Sequence, residues 1–129
     1  MGVGIADFEK TITTIEAFVE GPQRESFVSM LKDDPEGFIY SHLDYDFPNN
    51  VDPKYVTKLS KDDKRKPSDL LKELGATNEC AVCREGGDAL ATISWLDEDD
   101  AYGLYTCIPG KLAYYVNDSG GHRTVLHKD

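Results

Sequence analysis

Residues 79–96 read ECAVCREGGDALATISWL. Two apolar and β-branched runs flank Gly86-Gly87, the pattern of two strands joined by a tight turn. In the second run Ala89, Ala91, Ile93 and Trp95 share one face of a strand, while Leu90, Thr92, Ser94 and Leu96 share the other. This stretch decides the fold because it marks where the pattern of the chain changes, from periods of three and four to a period of two.

Downstream, YGLYTCI and KLAYYVN flank Pro109-Gly110, a tight-turn dipeptide. DSGGH turns the chain again, and RTVLH is expected to close the sheet as an edge strand. Upstream, Phe8, Ile12, Ile15, Phe18 and Val19 recur at helical spacing between Asp7 and Gly21. Pro22 suits the first turn of a second helix carrying Phe27, Val28, Met30 and Leu31. Asp34-Pro35-Glu36 is another start signal, before a stretch (Phe38, Ile39, His42, Leu43) that fits a short helix and also a strand through Phe47. Asp52-Pro53 repeats the device before the apolar stripe Tyr55, Val56 and Leu59. PSDLLKELG reads as a compact helix with Leu70, Leu71 and Leu74 inward and Gly75 as its stop.

Helices followed by hairpin-linked strands predict an α+β fold. An N-terminal helical half of three to five short helices packs on a C-terminal antiparallel meander of four to five strands, sequential neighbours pairing. At 129 residues the chain suits one domain, 1–129, since either half alone is small for a secure core.

The strand reading also bears on the Cys80-x-x-Cys83 motif. Residues three apart in a regular strand point to opposite faces. A zinc site would need a knuckle at Ala81-Val82, with Cys107 and either His122 or His127 completing four donors. The second Cys-x-x-Cys that would make the signal strong is missing. A redox dithiol motif belongs at a helix N-terminus; here it lies in a strand, beside Glu79 and Glu85. The favoured reading makes the cysteines small apolar fillers of the sheet, with no metal and no cofactor. A zinc-binding module on Cys80, Cys83, Cys107 and His122 is the alternative.

Charge is the strongest feature. The chain carries 14 basic and 24 acidic residues, a net charge of -10, which repels nucleic acid and anionic membrane and steers basic partners inward. Asp33, Asp34, Glu36, Asp44, Asp46 and Asp52 fall in one stretch without Lys or Arg, interleaved with Tyr40, Tyr45 and Phe47. Glu85, Asp88, Asp97, Glu98, Asp99 and Asp100 fall in another, near Trp95, Tyr102 and Tyr105. Carboxylates set association rate, and aromatics supply buried anchors. The expected partner-binding residues are therefore Asp44, Tyr45, Asp46, Asp97, Asp99, Asp100 and Tyr102, facing a basic protein partner, as in a small inhibitor or immunity-type factor. The ordinary reading of such runs is a solvated loop. DEDDAYG lacks the ligand spacing of a calcium loop. The basic run Lys54–Lys66 reads as a solvated connector, thin support for a nucleic-acid binder.

No catalytic constellation is visible: no P-loop, dinucleotide fingerprint, His-Glu-x-x-His or nucleophile elbow occurs, and SGGH lacks the last of these patterns. A small-molecule or enzymatic pocket walled by Tyr105, Tyr114 and Tyr115 is a further alternative. No stretch approaches the roughly 20 apolar residues of a membrane span. The start lacks a basic segment before an apolar one, and Ala6 breaks the myristoylation pattern. Three cysteines make a poor disulfide framework, so a reducing cytoplasm is the expected compartment.

Overall fold

The computed structural model describes residues 5–19, 21–34, 37–38, 50–59, 66–83, 90–97, 103–116 and 123–128, the side chains of 5–8 and 90 excepted. Three helices are present among them: α1 (Ile5–Phe18), α2 (Pro22–Asp33) and α3 (Pro67–Glu73). Six strands follow the chain as β1 (Val56–Leu59), β2 (Glu79–Cys83), β3 (Leu90–Thr92), β4 (Gly103–Ile108), β5 (Leu112–Val116) and β6 (Arg123–His127). Two 3-10 turns, Pro53–Tyr55 and Ile93–Asp97, precede β1 and follow β3. The fold is α+β with an open antiparallel sheet, ordered β1-β6-β5-β4-β2-β3.

The helices form where the apolar spacing placed them. Ile12, Ile15 and Phe18 of α1 are buried, and Phe27 and Leu31 of α2 join them. Gly21, at φ 72, makes the turn that a side chain would strain, and Pro22 opens α2. Phe27 meets Phe38 edge-on at 5.7 Å between centroids. The second half of the stretch read as helix or strand, residues 39–47, lies outside the described residues.

The sheet is covered on both sides. One core gathers Ile12, Ile15, Phe18, Phe27 and Leu31 against Cys83, Leu104, Ala113, Tyr115 and Leu126. The other gathers Leu71, Ile93 and Leu96 against Cys80, Val82, Tyr105, Leu112, Tyr114, Val116 and Val125. Every residue of β5 is consequently buried. The layers are α1 and α2, then the sheet, then α3 with the second 3-10 turn. Polar ties join α1 to the sheet layer: Thr106 Oγ1 donates to Thr14 Oγ1 at 3.2 Å, and the Gly110 amide donates to the same oxygen at 3.3 Å.

Four expectations are corrected. The sheet has six strands, because Val56–Leu59, read as a helical stripe, pairs antiparallel with β6. Asp52 caps only the short 3-10 turn, accepting the Lys54 amide at 3.1 Å, and the β-branched pair Val56-Thr57 then goes extended. β6 therefore lies inside the sheet, and β1 and β3 are its edges. Among the described residues of the run DALATISWL, the strand spans Leu90–Thr92. The second half of the run coils into a 3-10 turn, whose repeat of three puts Ile93 and Leu96 together in the core. That turn carries the chain away, so β4 pairs with β2 instead of β3.

Candidate functional site

The ladder registers fix which strand termini lie together. Leu59 is opposite Arg123, Arg123 opposite Val116, Val116 opposite Gly103, and Leu104 opposite Cys83. The end of β1, the start of β6, the end of β5, the start of β4 and the end of β2 thus share one end of the sheet. β3 starts there too, since Leu90 is opposite Ala81. Residues 84–89 and 117–122 run between these termini, and 98–102 arrive at one of them. In sequence they hold Glu85, Asp88, Glu98, Asp99, Asp100 and Asp118 against a single Lys or Arg, Arg84. Residues 60–65 leave the same end with a mixed content, Lys61, Lys64 and Arg65 beside Asp62 and Asp63. Asp118 falls in neither acidic stretch of the sequence; the strand register alone sets the strand ends flanking 117–122 at the same end of the sheet as those flanking 84–89.

Of the expected binding residues, Asp97 alone is described; Asp44, Tyr45, Asp46, Asp99, Asp100 and Tyr102 lie outside the described residues. The carboxylate of Asp97 is turned onto the start of α3. Its Oδ1 accepts the Ser68 amide at 2.9 Å, and its Oδ2 accepts the Ser68 hydroxyl. Lys66, the residue at the N-cap position, provides no side-chain cap. Asp97 fills that role from 29 residues away, satisfying an orphan amide and facing the positive end of the helix dipole. Trp95, two residues earlier, is half-buried with its ring 6.0 Å from that of Tyr105.

The other end of the sheet carries lysines beside two acids, Glu79 at the start of β2 and Asp52, which pairs with Lys54 at 3.5 Å. Lys54 and Lys128 hold their ammonium groups 5.0 and 5.1 Å from the Tyr55 ring centroid, within cation–π range. Lys128 Nζ also donates to the Ala17 carbonyl at 3.3 Å, near the C-terminus of α1, a helix with no basic residue in its own last turn. The Lys128 amide donates to the Lys111 carbonyl at 2.8 Å, which brings a third lysine to this end. A shallow groove of about 460 Å³ is lined by Glu16 of α1 and by Arg24, Glu25, Val28, Ser29 and Lys32 of α2; its lining mixes both signs of charge.

The structure separates the Cys-x-x-Cys pair. Cys80 is in the core under α3 and Cys83 in the core under α1, on opposite faces of one regular strand. No knuckle forms at Ala81-Val82, so the two thiols of the zinc alternative do not converge. Cys107 shares the face of Cys80. His122 lies outside the described residues, and those residues hold no cluster of three metal-ligating side chains. Burial pushes the Cys80 thiol up to about 11 and the Cys83 thiol up to about 12, while the carbonyl of Ala91, 3.5 Å from Cys80 Sγ, accepts from that thiol. Cys107 is raised further, by burial first and by the nearby Cys80 second. The three tyrosines of the pocket alternative do not share a wall either: Tyr105 and Tyr114 pack together at 6.1 Å in one core, and Tyr115 is in the other.

No helix among the described residues is long and apolar enough to cross a membrane. In comparisons with known proteins the chain matches no family model, no curated protein and no solved structure.

Proposed function

We propose that the protein binds a basic protein partner, as an inhibitor or immunity-type factor that covers a positive surface. Its working surface would be the acidic end of the sheet. The supporting observation is the strand register, which gathers the termini of 84–89, 98–102 and 117–122, segments rich in carboxylates, while Lys54, Lys111 and Lys128 belong to the opposite end. A chain polarised in this way orients an incoming cationic surface as well as attracting it.

The sheet faces are consumed by packing, so recognition falls to the connections. Asp97 has a supporting part in this reading: it fastens the 3-10 turn to α3 immediately before Glu98, Asp99 and Asp100. Tyr102 would be an aromatic anchor at the same end. Asp44, Tyr45 and Asp46 belong to a separate acidic segment and would extend the surface.

The test is stopped-flow association of the partner with wild type and with Asp99→Lys/Asp100→Lys, across a salt series. The reading expects the double reversal to slow association at least tenfold at low salt, and added salt to slow the wild type. Equal rates for both proteins, unchanged by salt, would refute it.

A further inference from the structure

Once Cys83 is assigned to the opposite core, the remaining two cysteines form a pair that the linear motif conceals. β2 and β4 run antiparallel with Ala81 opposite Thr106 and Val82 opposite Tyr105. One residue beyond the last paired position, Ala81–Thr106, the two strands carry Cys80 and Cys107. Both side chains lie in the core under α3, 2 % and 9 % exposed. A register shift between Thr106 and Ile108 in the β4–β5 ladder marks a β-bulge at Cys107. Cys107 and Ile108 consequently both turn toward the Cys80 face. The adjacent ladder pair, Ala81 and Thr106, stands at the separation of opposed residues in antiparallel strands, with Cα atoms about 4.5–5.5 Å apart. That range falls inside the roughly 4.4–6.8 Å that a disulfide spans.

We propose that Cys80 and Cys107 form a cross-strand dithiol site for a peroxide oxidant, closing to a disulfide without rearrangement of the sheet, while Cys83 takes no part. The reaction balances with hydrogen peroxide as the oxidant. The Cys80 thiolate attacks one peroxide oxygen, the O–O bond breaks, and the departing hydroxide takes up the thiol proton as water. The resulting sulfenic acid is attacked by the Cys107 thiolate. The S–O bond breaks, an S–S bond forms, and the second hydroxide leaves as water with the Cys107 proton. Two thiols lose two electrons and one peroxide gains them.

Cys80 is the attacking sulfur because its thiol is raised less than that of Cys107. With a value about 11, its thiolate fraction near neutral pH is about 10⁻⁴ and climbs about tenfold per pH unit. The reaction is therefore slow at pH 7 and speeds up steeply in alkali. The chain reverts when a dithiol reductant is added. This site stands apart from the proposed partner surface, and its test is indifferent to that surface.

The experiment treats the full-length folded protein with hydrogen peroxide at pH 7, 8 and 9. Residual thiols are blocked in acid, and non-reduced peptides are mapped by mass spectrometry. A parallel sample is oxidised in concentrated urea. The proposal expects a Cys80–Cys107 linkage as the main product in the folded protein, with Cys83 recovered as a free thiol. Its rate should rise about tenfold per pH unit over that range. In urea the short-range Cys80–Cys83 linkage should compete, since closing a shorter loop costs less entropy. Cys83→Ala should leave the folded product unchanged. Cys80–Cys83 or Cys83–Cys107 as the main folded product, or sulfinic acids without a linkage, would overturn the proposal. So would no linkage at all after the urea sample has fully oxidised. The wild-type map decides even where a cysteine variant fails to fold.

Discussion

Replacing Asp97 with alanine removes the tie between the second 3-10 turn and α3. Two hydrogen bonds to a carboxylate are lost, from the Ser68 amide at 2.9 Å and from its hydroxyl. Loss of a helix cap costs about 1 kcal/mol, within a range of about 0.5–2. A hydrogen bond to a charged group contributes about 1.5–3 kcal/mol when buried, and Asp97 is only half-buried, so its lower end applies. The expected loss is about 2 kcal/mol, out of a total stability of roughly 6–15 kcal/mol for a chain of this size. Thermal unfolding should fall by about 6–10 °C. Asp97→Asn keeps an acceptor for the amide and should lose about half as much. Ser68→Ala keeps the amide and loses only the hydroxyl, about 1 kcal/mol. Urea unfolding of the two single variants and Asp97→Ala/Ser68→Ala should show coupling of about 1 kcal/mol. An Asp97→Ala protein within about 0.3 kcal/mol of wild type would refute the capping assignment, and Asp97 would then be free to serve as a contact residue.

Other outcomes follow from the same coordinates. Thr14→Val strands two inward-facing donors, the Thr106 hydroxyl and the Gly110 amide, and should cost about 2 kcal/mol in urea unfolding. Gly110→Ala forces a side chain into φ 77 with its Cβ 3.4 Å from Thr13 Cγ2, and should cost about 1–2 kcal/mol by the same assay. Lys128→Met removes the donor to Ala17 and one of the cations on Tyr55, for a loss of about 0.5–1 kcal/mol that added salt diminishes. The buried thiols set an alkaline limit. Above about pH 8.5 the unfolded chain releases thiol protons while the folded chain retains those of Cys80 and Cys83 until about 11 and about 12. Stability contributed below pH 8.5 is therefore lost as pH climbs through that window. Urea midpoints should fall between pH 8 and pH 10, and should fall less in a variant with Cys80 and Cys83 replaced by alanine.

Local signals carried most of the fold. The Pro22 start, the Leu71 stripe and the Pro109-Gly110 turn specify elements from neighbouring residues alone. β1 was misread because what makes it a strand is β6, more than sixty residues further on. The apolar run Leu112–Val116 is buried on both faces because helices cover the two sides of the sheet, which no residue of the run itself encodes. Asp97 was legible as an acid but not as a cap, because its partner Ser68 is in another element. The opposite faces of Cys80 and Cys83 followed from strand geometry, whereas the placement of Cys80 and Cys107 in one core required the strand order. The proposed polarity of the sheet, with carboxylate-rich segments flanking the strand termini of one end and Lys54, Lys111 and Lys128 at the other, likewise rests on register and not on composition.

The most direct test of that polarity as a working feature is paired affinity capture from native cell extract at low salt. Wild type and Asp99→Lys/Asp100→Lys serve as baits, with Asp97 left intact so that both retain the α3 cap. The account predicts that wild type retains a basic protein that a salt gradient releases, and that the reversed bait does not retain it. Retention of the same protein by both baits, or of a partner that is neutral or acidic and indifferent to salt, would contradict it.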